Sequence, residues 1–189
     1  MTRDEAYQIL TKYLTTPNLI KHCLATEAVM KALYRRLNLQ YNQQDEETWG
    51  MVGLLHDADY ELAKGKPEVH GLLLFEKEPN TIPDDIAYAI KAHNFENTKV
   101  EPKSTMDWSI YCVDQLTGLI VAATLIHPDK KLASITPDFV MNRFNENSFA
   151  KGADRNSIKR CEEKLGIQLM EFIAITLTAM QGIANELGL

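Results

Sequence analysis

Between residues 18 and 38 the apolar positions fall at Leu24, Ala28 or Val29, Leu33 and Leu37, the spacing of three and four that puts side chains on one face of a helix. The same beat recurs through nearly the whole chain, and no alternating β-branched run competes with it, so an all-α protein is expected. Capping signals mark where its helices start. Thr2 with Glu5 is a capping-box pattern for a first helix that runs to about Leu14, where "TTPN" interrupts. After the polar loop "NLQYNQQD" (38–45), Asp45 is placed to cap a third helix through "EETWGMVGLL", which ends on His56 and Asp57. Pro67 suits the first turn of a fourth, "PEVHGLLLFEKE", and Pro83 that of "PDDIAYAIKAHN", with Asn94 as its C-terminal cap. Ser104 with Asp107 opens a long helix through "MDWSIYCVDQLTGLIVAATLI". Beyond the loop "HPDKKLAS", Thr136-Pro137 starts "DFVMNRFN", and two amphipathic helical segments complete the sequence.

With 189 residues, 45% of them hydrophobic, the chain can bury roughly two thirds of its unfolded surface around one core, so residues 1–189 are read as a single domain. A net charge of -6 without a Lys/Arg run argues against binding duplex nucleic acid or anionic lipid. Cys23, Cys112 and Cys161 are far apart and odd in number, the pattern of reduced core thiols. Acids occupy the "MTRDEAYQIL" stretch where a secretory signal carries bases, and the longest apolar run, "GLIVAATLI", is shorter than a membrane span. A cytoplasmic protein with no membrane segment is expected.

Within that helical frame, His22, His56, Asp57, His70, His93 and Asp114 each belong to a different predicted helix, apart from the adjacent pair. A metal in a bundle core is bound by side chains projected inward from several facing helices, and this distribution fits that design. His22, His56, Asp57 and Asp114 make a mixed imidazole and carboxylate set suited to a divalent ion: Mn, Fe, Zn or Mg. Asp57 has two oxygens, so it can bridge to a second ion held by His70 and His93. Each histidine also has a plainer reading: His70 can finish a packing face, and His93 can favour the negative end of its helix. Asp114 is more telling, because a carboxylate inside "IYCVDQLTGLIVAA" is costly to bury without a cation or several donors. His127, before Pro128, is read as a loop residue.

The ordered set H, HD, H, H, D, with "GLLHD" closing a helix and "VDQLTGLI" carrying the last Asp, resembles the HD-domain superfamily of metal-dependent phosphohydrolases. The stretches "LIKHCLATEAVM", "VGLLHDADYE", "IKAHN", "VDQLTGLIVAATLIHPDKKL" and "RFNENSFAKGADR" extend the likeness over most of the chain, toward small stand-alone HD hydrolases. The resemblance implies an HD-domain helical bundle, with His22, His56, Asp57 and Asp114 as the first metal site and His70 and His93 as the additional ligands of dinuclear branches. Those branches include hydrolases of dinucleoside polyphosphates and cyclic dinucleotides, and diiron oxygenases with the same six ligand types. Many HD phosphodiesterases carry a Lys three residues after the HD Asp; this chain has Tyr60 there and no GYP-type extension, which argues against a cyclic dinucleotide enzyme.

The expectation is therefore a phosphomonoesterase or phosphodiesterase acting on a small phosphorylated metabolite, a nucleotide foremost, with one or two divalent ions. Asp59 and Glu61 are the candidates for proton transfer, against the plainer reading of a helix-end charge cluster. Lys64, Arg143 and Lys151, with Arg155 beside them, are the candidates for holding phosphate; solvated loop positions are the alternative. Two other functions stay open: a diiron oxygenase, and a non-catalytic helical module that binds a nucleotide or metal. The apolar face of "FIAITLTAMQGIANELGL" can serve a homodimer or its own core.

Overall fold

The structure, a computed structural model, describes residues 1–38 and 40–189. Position 39, inside the loop expected over 38–45, lies outside the described residues. The chain is helical and has no strand among the described residues. In order, the helices are α1 (Arg3–Tyr13), α2 (Pro17–Leu37), α3 (Gln43–Leu55), α4 (Tyr60–Ala63), α5 (Leu73–Lys77), α6 (Asp84–His93), α7 (Phe95–Thr98) and α8 (Thr105–Ile126), followed, after a 3-10 turn at Leu132–Ser134, by α9 (Pro137–Asn145), α10 (Arg155–Leu165), α11 (Leu169–Gly182) and α12 (Ala184–Leu187).

Both capping boxes form, Thr2 with Glu5 and Ser104 with Asp107, each satisfying backbone N–H groups that a helix start leaves without partners. Two expectations need correction. Asn42 rather than Asp45 caps α3, its side chain accepting from Gln44 N at 2.8 Å; Asp45 lies inside the first turn, where its charge suits the helix dipole. The helix expected from Pro67 is a run of turns, and only Leu73–Lys77 is helical. Gly71 is the reason, since its φ of +85° breaks the right-handed course one residue after His70.

α2 and α3 pack in antiparallel register, Gly53 lying against Thr26 and Gly50 against Lys31. A Cβ on Gly53 would stand 2.6 Å from the Thr26 carbonyl oxygen, so only glycine lets these backbones approach this closely. α8 is the central rod, touching α2, α3, α6, α9, α10 and α11. Its buried residues include Ile110, Cys112, Val113, Leu116, Leu119, Ile120 and Ala123, which cover nearly every side of the helix. That all-round apolarity makes α8 long and apolar enough to cross a membrane by composition; in the fold, most of that stretch is buried against its neighbours. α11 turns Phe172, Ile173, Leu177 and Met180 into the same core, and all three cysteines are buried as free thiols.

Candidate metal centre

Five elements, α8 among them, bring their polar side chains to one point. His22 comes from the first turns of α2, His56 and Asp57 from the end of α3, His70 from the turn before α5, His93 from the last residue of α6, and Asp114 from the middle of α8. The tight α2–α3 approach at Gly53 carries His56, three residues on, up to His22, and their Nε2 atoms are 3.1 Å apart.

The donor atoms form two groups that share Asp57: His22, His56, Asp57 and Asp114 in one, and Asp57, His70 and His93 in the other. In the first, His22 Nε2 lies 3.0 Å from Asp114 Oδ1 and 3.5 Å from Asp57 Oδ2, and His56 Nε2 lies 3.5 Å from Asp114 Oδ1 and 3.6 Å from Asp57 Oδ1. In the second, Asp57 Oδ1 is 3.0 Å from His70 Nε2 and 3.8 Å from His93 Nε2, and the two imidazole nitrogens are 3.1 Å apart. Ligands bound at about 2.1 Å to one ion lie roughly 3.0 to 3.5 Å from one another, so both groups have nearly the spacing of a coordination sphere.

The outer nitrogens decide what the inner ones can do. His56 Nδ1 donates to the Gly53 carbonyl at 2.8 Å, His93 Nδ1 to the Ile90 carbonyl, and His70 Nδ1 to the Asp59 carboxylate at 2.8 Å. Thr117 spends its hydroxyl hydrogen on the Asp114 carbonyl, so its oxygen accepts from His22 Nδ1 at 3.1 Å. With every Nδ1 hydrogen committed outward, each neutral imidazole turns an Nε2 lone pair inward, and the His22–His56 and His70–His93 pairs then repel unless a cation or proton stands between them. The residues fit divalent metal.

Electrostatics agree with this reading. Burial pulls the His56 imidazole down, but the Asp57 and Asp114 carboxylates outweigh it and push it up to about 9. His70 likewise loses charge to burial and regains it from Asp57 and Asp59, reaching about 10. Burial, reinforced by the positive charge of His70 and His56, holds His93 down at about 4. Asp57 and Asp114 resist burial and stay well below the usual carboxylate range because imidazoles surround them. The cluster attracts positive charge, and a divalent ion competes with protons for the same nitrogens.

Asp59 is almost fully buried, with its oxygens taken by His70 Nδ1, Gly71 N and Leu74 N, so it orients His70 and has no face on the cavity. Glu61 points away altogether and accepts from Thr15 N and Thr16 N at the start of α2. Lys64 is the exposed left-handed cap of α4, Arg143 pairs with Glu146, and Lys151 is exposed on the 146–154 loop; none of the three lines the cavity over the cluster. Arg155 holds that loop together, donating to the carbonyls of Phe144, Phe149, Ala150 and Ala153. His127 caps the end of α8, away from the cluster.

Sequence reasoning missed Thr117 as a support for His22, and Asn94 as more than a cap. The Asn94 amide donates to the carbonyls of Pro67 and His70, strapping the His70 turn to the end of α6. Thr117 stands three residues after Asp114, within reach of the same site, and that spacing was the available signal.

A cavity of about 490 Å³ opens over the cluster, and its other walls are Leu19, Tyr60, Asn94, Glu96, Asn97, Tyr111, Gln115, Asp154 and Ser157. No lysine or arginine lines it. A larger cavity of about 590 Å³, between α3, α6 and the start of α8, has no comparable ligand set among the described residues. Comparisons with family models, curated proteins and solved structures find no match to the chain.

Proposed function

We propose that this chain is an HD-type, metal-dependent phosphoric ester hydrolase acting on a small phosphorylated metabolite, and that it works with two divalent ions. The observation that carries the reading is the shared carboxylate of Asp57 between two sets of inward-facing imidazoles. His22, His56, Asp57 and Asp114 would hold one ion, and Asp57, His70 and His93 the other. Ions bound there supply acidified water and neutralise charge on phosphoryl oxygens.

The chain's own groups account for the rest. Gly53, Thr117, Asp59 and Ile90 hold the imidazole rings in one tautomer, so the ligand set is organised before substrate arrives. The cavity has the volume of a small-molecule site. Its amides, Asn97 and Gln115, and the Tyr60 hydroxyl offer hydrogen bonds to a polar substrate, while the missing basic residues leave the phosphate charge to the ions.

The test joins elemental analysis of the purified protein to a screen of phosphate esters, nucleotides first, with Mn, Fe, Zn and Mg. Metal-dependent phosphate release that Asp57→Ala abolishes is the expected result. Dioxygen uptake with bound iron and no phosphate release would replace the reading with a diiron oxygenase. Ligand-dependent stabilisation without turnover across all four metals would replace it with a binding module.

A further inference from the structure

The cavity over the metal cluster has neighbours at His22. His22, Asp114 and Gln115 line a second hollow of about 260 Å³ with Gly118, Ala150, Gly152 and Ala153. His22 and Gly118 in turn line a third, of about 400 Å³, with Asn18, Lys21, Val121, Leu125, Leu187, Gly188 and Leu189. The shared residues place the three hollows side by side along α8. Their floor is a single stripe of that helix, since Asp114, Gly118, Val121 and Leu125 follow one another at four, three and four residues. From Asp114 to Leu125 that stripe runs about 16 Å at the rise of an α-helix.

The chemistry changes along the stripe. At Asp114 the walls are imidazole, carboxylate and amide; at Gly118 they are glycines and alanines; beyond it they are Val121, Leu125, Leu187 and Leu189, together with Asn18 and Lys21. Leu125, at 50% exposed, is one of two large apolar residues that the end of α8 leaves open, with Ile126 at 52%, and of the two it is Leu125 that lines the hollow. The waist is open because side chains are missing there: a Cβ on Gly118 or Gly152 would meet no atom within 4 Å. Across from Gly118, the 150–153 wall is fixed by the Arg155 guanidinium, which ties the carbonyls of Ala150 and Ala153 at 2.6 Å each.

We propose that the metal centre takes an amphiphilic substrate, whose polar head reaches the His22–Asp114 cluster while its apolar tail lies along α8 over Gly118 and ends against Val121, Leu125 and Leu187. The occupant is the substrate's own tail because the hollows adjoin the metal cavity, with His22, Asp114 and Gln115 lining both the cavity and the first hollow, and His22 and Gly118 leading on to the next. Gly118 is the specificity-determining position. The proposal rests on the metal-centre reading for what holds the head, and on the hollows alone for the tail.

The experiment is calorimetric titration of manganese-loaded protein with methylphosphonate and octylphosphonate, which share a head and differ in tail. Wild-type protein is expected to bind the octyl compound tighter by roughly a hundredfold, as partial burial of the chain predicts. Gly118→Leu, whose side chain enters open space and favours the helix, should erase that preference. Leu125→Glu, at a half-exposed position, should reduce the octyl preference roughly tenfold. Equal binding of the two probes by wild type overturns the proposal, as does failure of the octyl compound to bind or a preference that persists in Gly118→Leu. Self-association abolished by Leu125→Glu, with no dependence on chain length, overturns it in favour of a second copy of the chain. Phosphonate binding with the expected preference but no hydrolysis of any ester sinks the hydrolase reading and leaves the tail site; hydrolysis indifferent to chain length does the reverse.

Discussion

The two ligand sets that meet at Asp57 are built differently. His22, His56 and Asp114 stand on or at the end of helices of 13 residues or more, and the outer nitrogens of the two imidazoles lean on the α3 backbone and on Thr117 of α8. His70 instead hangs on a turn, oriented by the buried Asp59 carboxylate and strapped by Asn94, while its partner His93 ends a helix of 10 residues. A site carried by long packed helices keeps its geometry at little local cost. A site carried by a turn depends on each hydrogen bond that shapes it. The first set should therefore bind its ion more tightly than the second.

The largest effect expected is from Asp57→Ala, which removes the one ligand common to both sets. Elemental analysis should find stoichiometric metal gone while circular dichroism still reports a helical fold. Next, His56→Ala and His93→Ala should separate the sets: His93→Ala keeps one ion per chain, and His56→Ala loses the tighter one. Equal metal loss in the two variants would break the comparison.

Milder changes sharpen it. Asp59→Asn should weaken the second ion by about 10- to 100-fold, the usual consequence of losing a group that orients a ligand, and leave the first ion unaffected. Thr117→Val should do the converse to the first ion, at the low end of that range.

Proton release gives a further contrast. At neutral pH, His56 and His70 hold protons, with pKa values of about 9 and about 10, whereas His93, at about 4, does not. Metal uptake at each set should therefore displace a proton, and affinity should rise as pH is raised from 7 toward 9 for the first set and 10 for the second. Titrations in buffers of different ionisation enthalpy measure this. The sign for stability is opposite: a raised imidazole pKa stabilises the chelated protein fully below about 6.5, and that contribution fades as pH climbs through 9 to 10. Smallest of all, Glu61→Gln, which turns one of the two oxygens accepting from Thr15 and Thr16 into a donor, should lower the melting temperature by a few degrees at most, with metal content unchanged.

Much of the site was legible because its ligands are titratable residues on periodic helices. A His or Asp that interrupts an apolar run, as His56, Asp57 and Asp114 do, announces a buried charge that needs a partner. The supports were less legible. Asp59 reads as a helix-end acid and Glu61 as its equal, and only the packing shows one buried beneath His70 and the other capping α2. Lys64, Arg143 and Lys151 look like phosphate ligands by composition, yet the packing leaves all three off the cavity wall.

By itself the sequence determined the long helices, most of their ends and the identity of the six His and Asp groups that gather at one point, because periodicity, capping and the cost of burying charge are local or compositional effects. The tertiary structure alone decided that Asp57 stands between two sets, that each imidazole turns Nε2 inward, and that hollows adjoin the cavity along α8 past Gly118. Those depend on how closely α2 approaches α3, on where Gly71 bends the chain and on which side chains are too small to fill the space, and such distances between remote residues are set only when the helices pack.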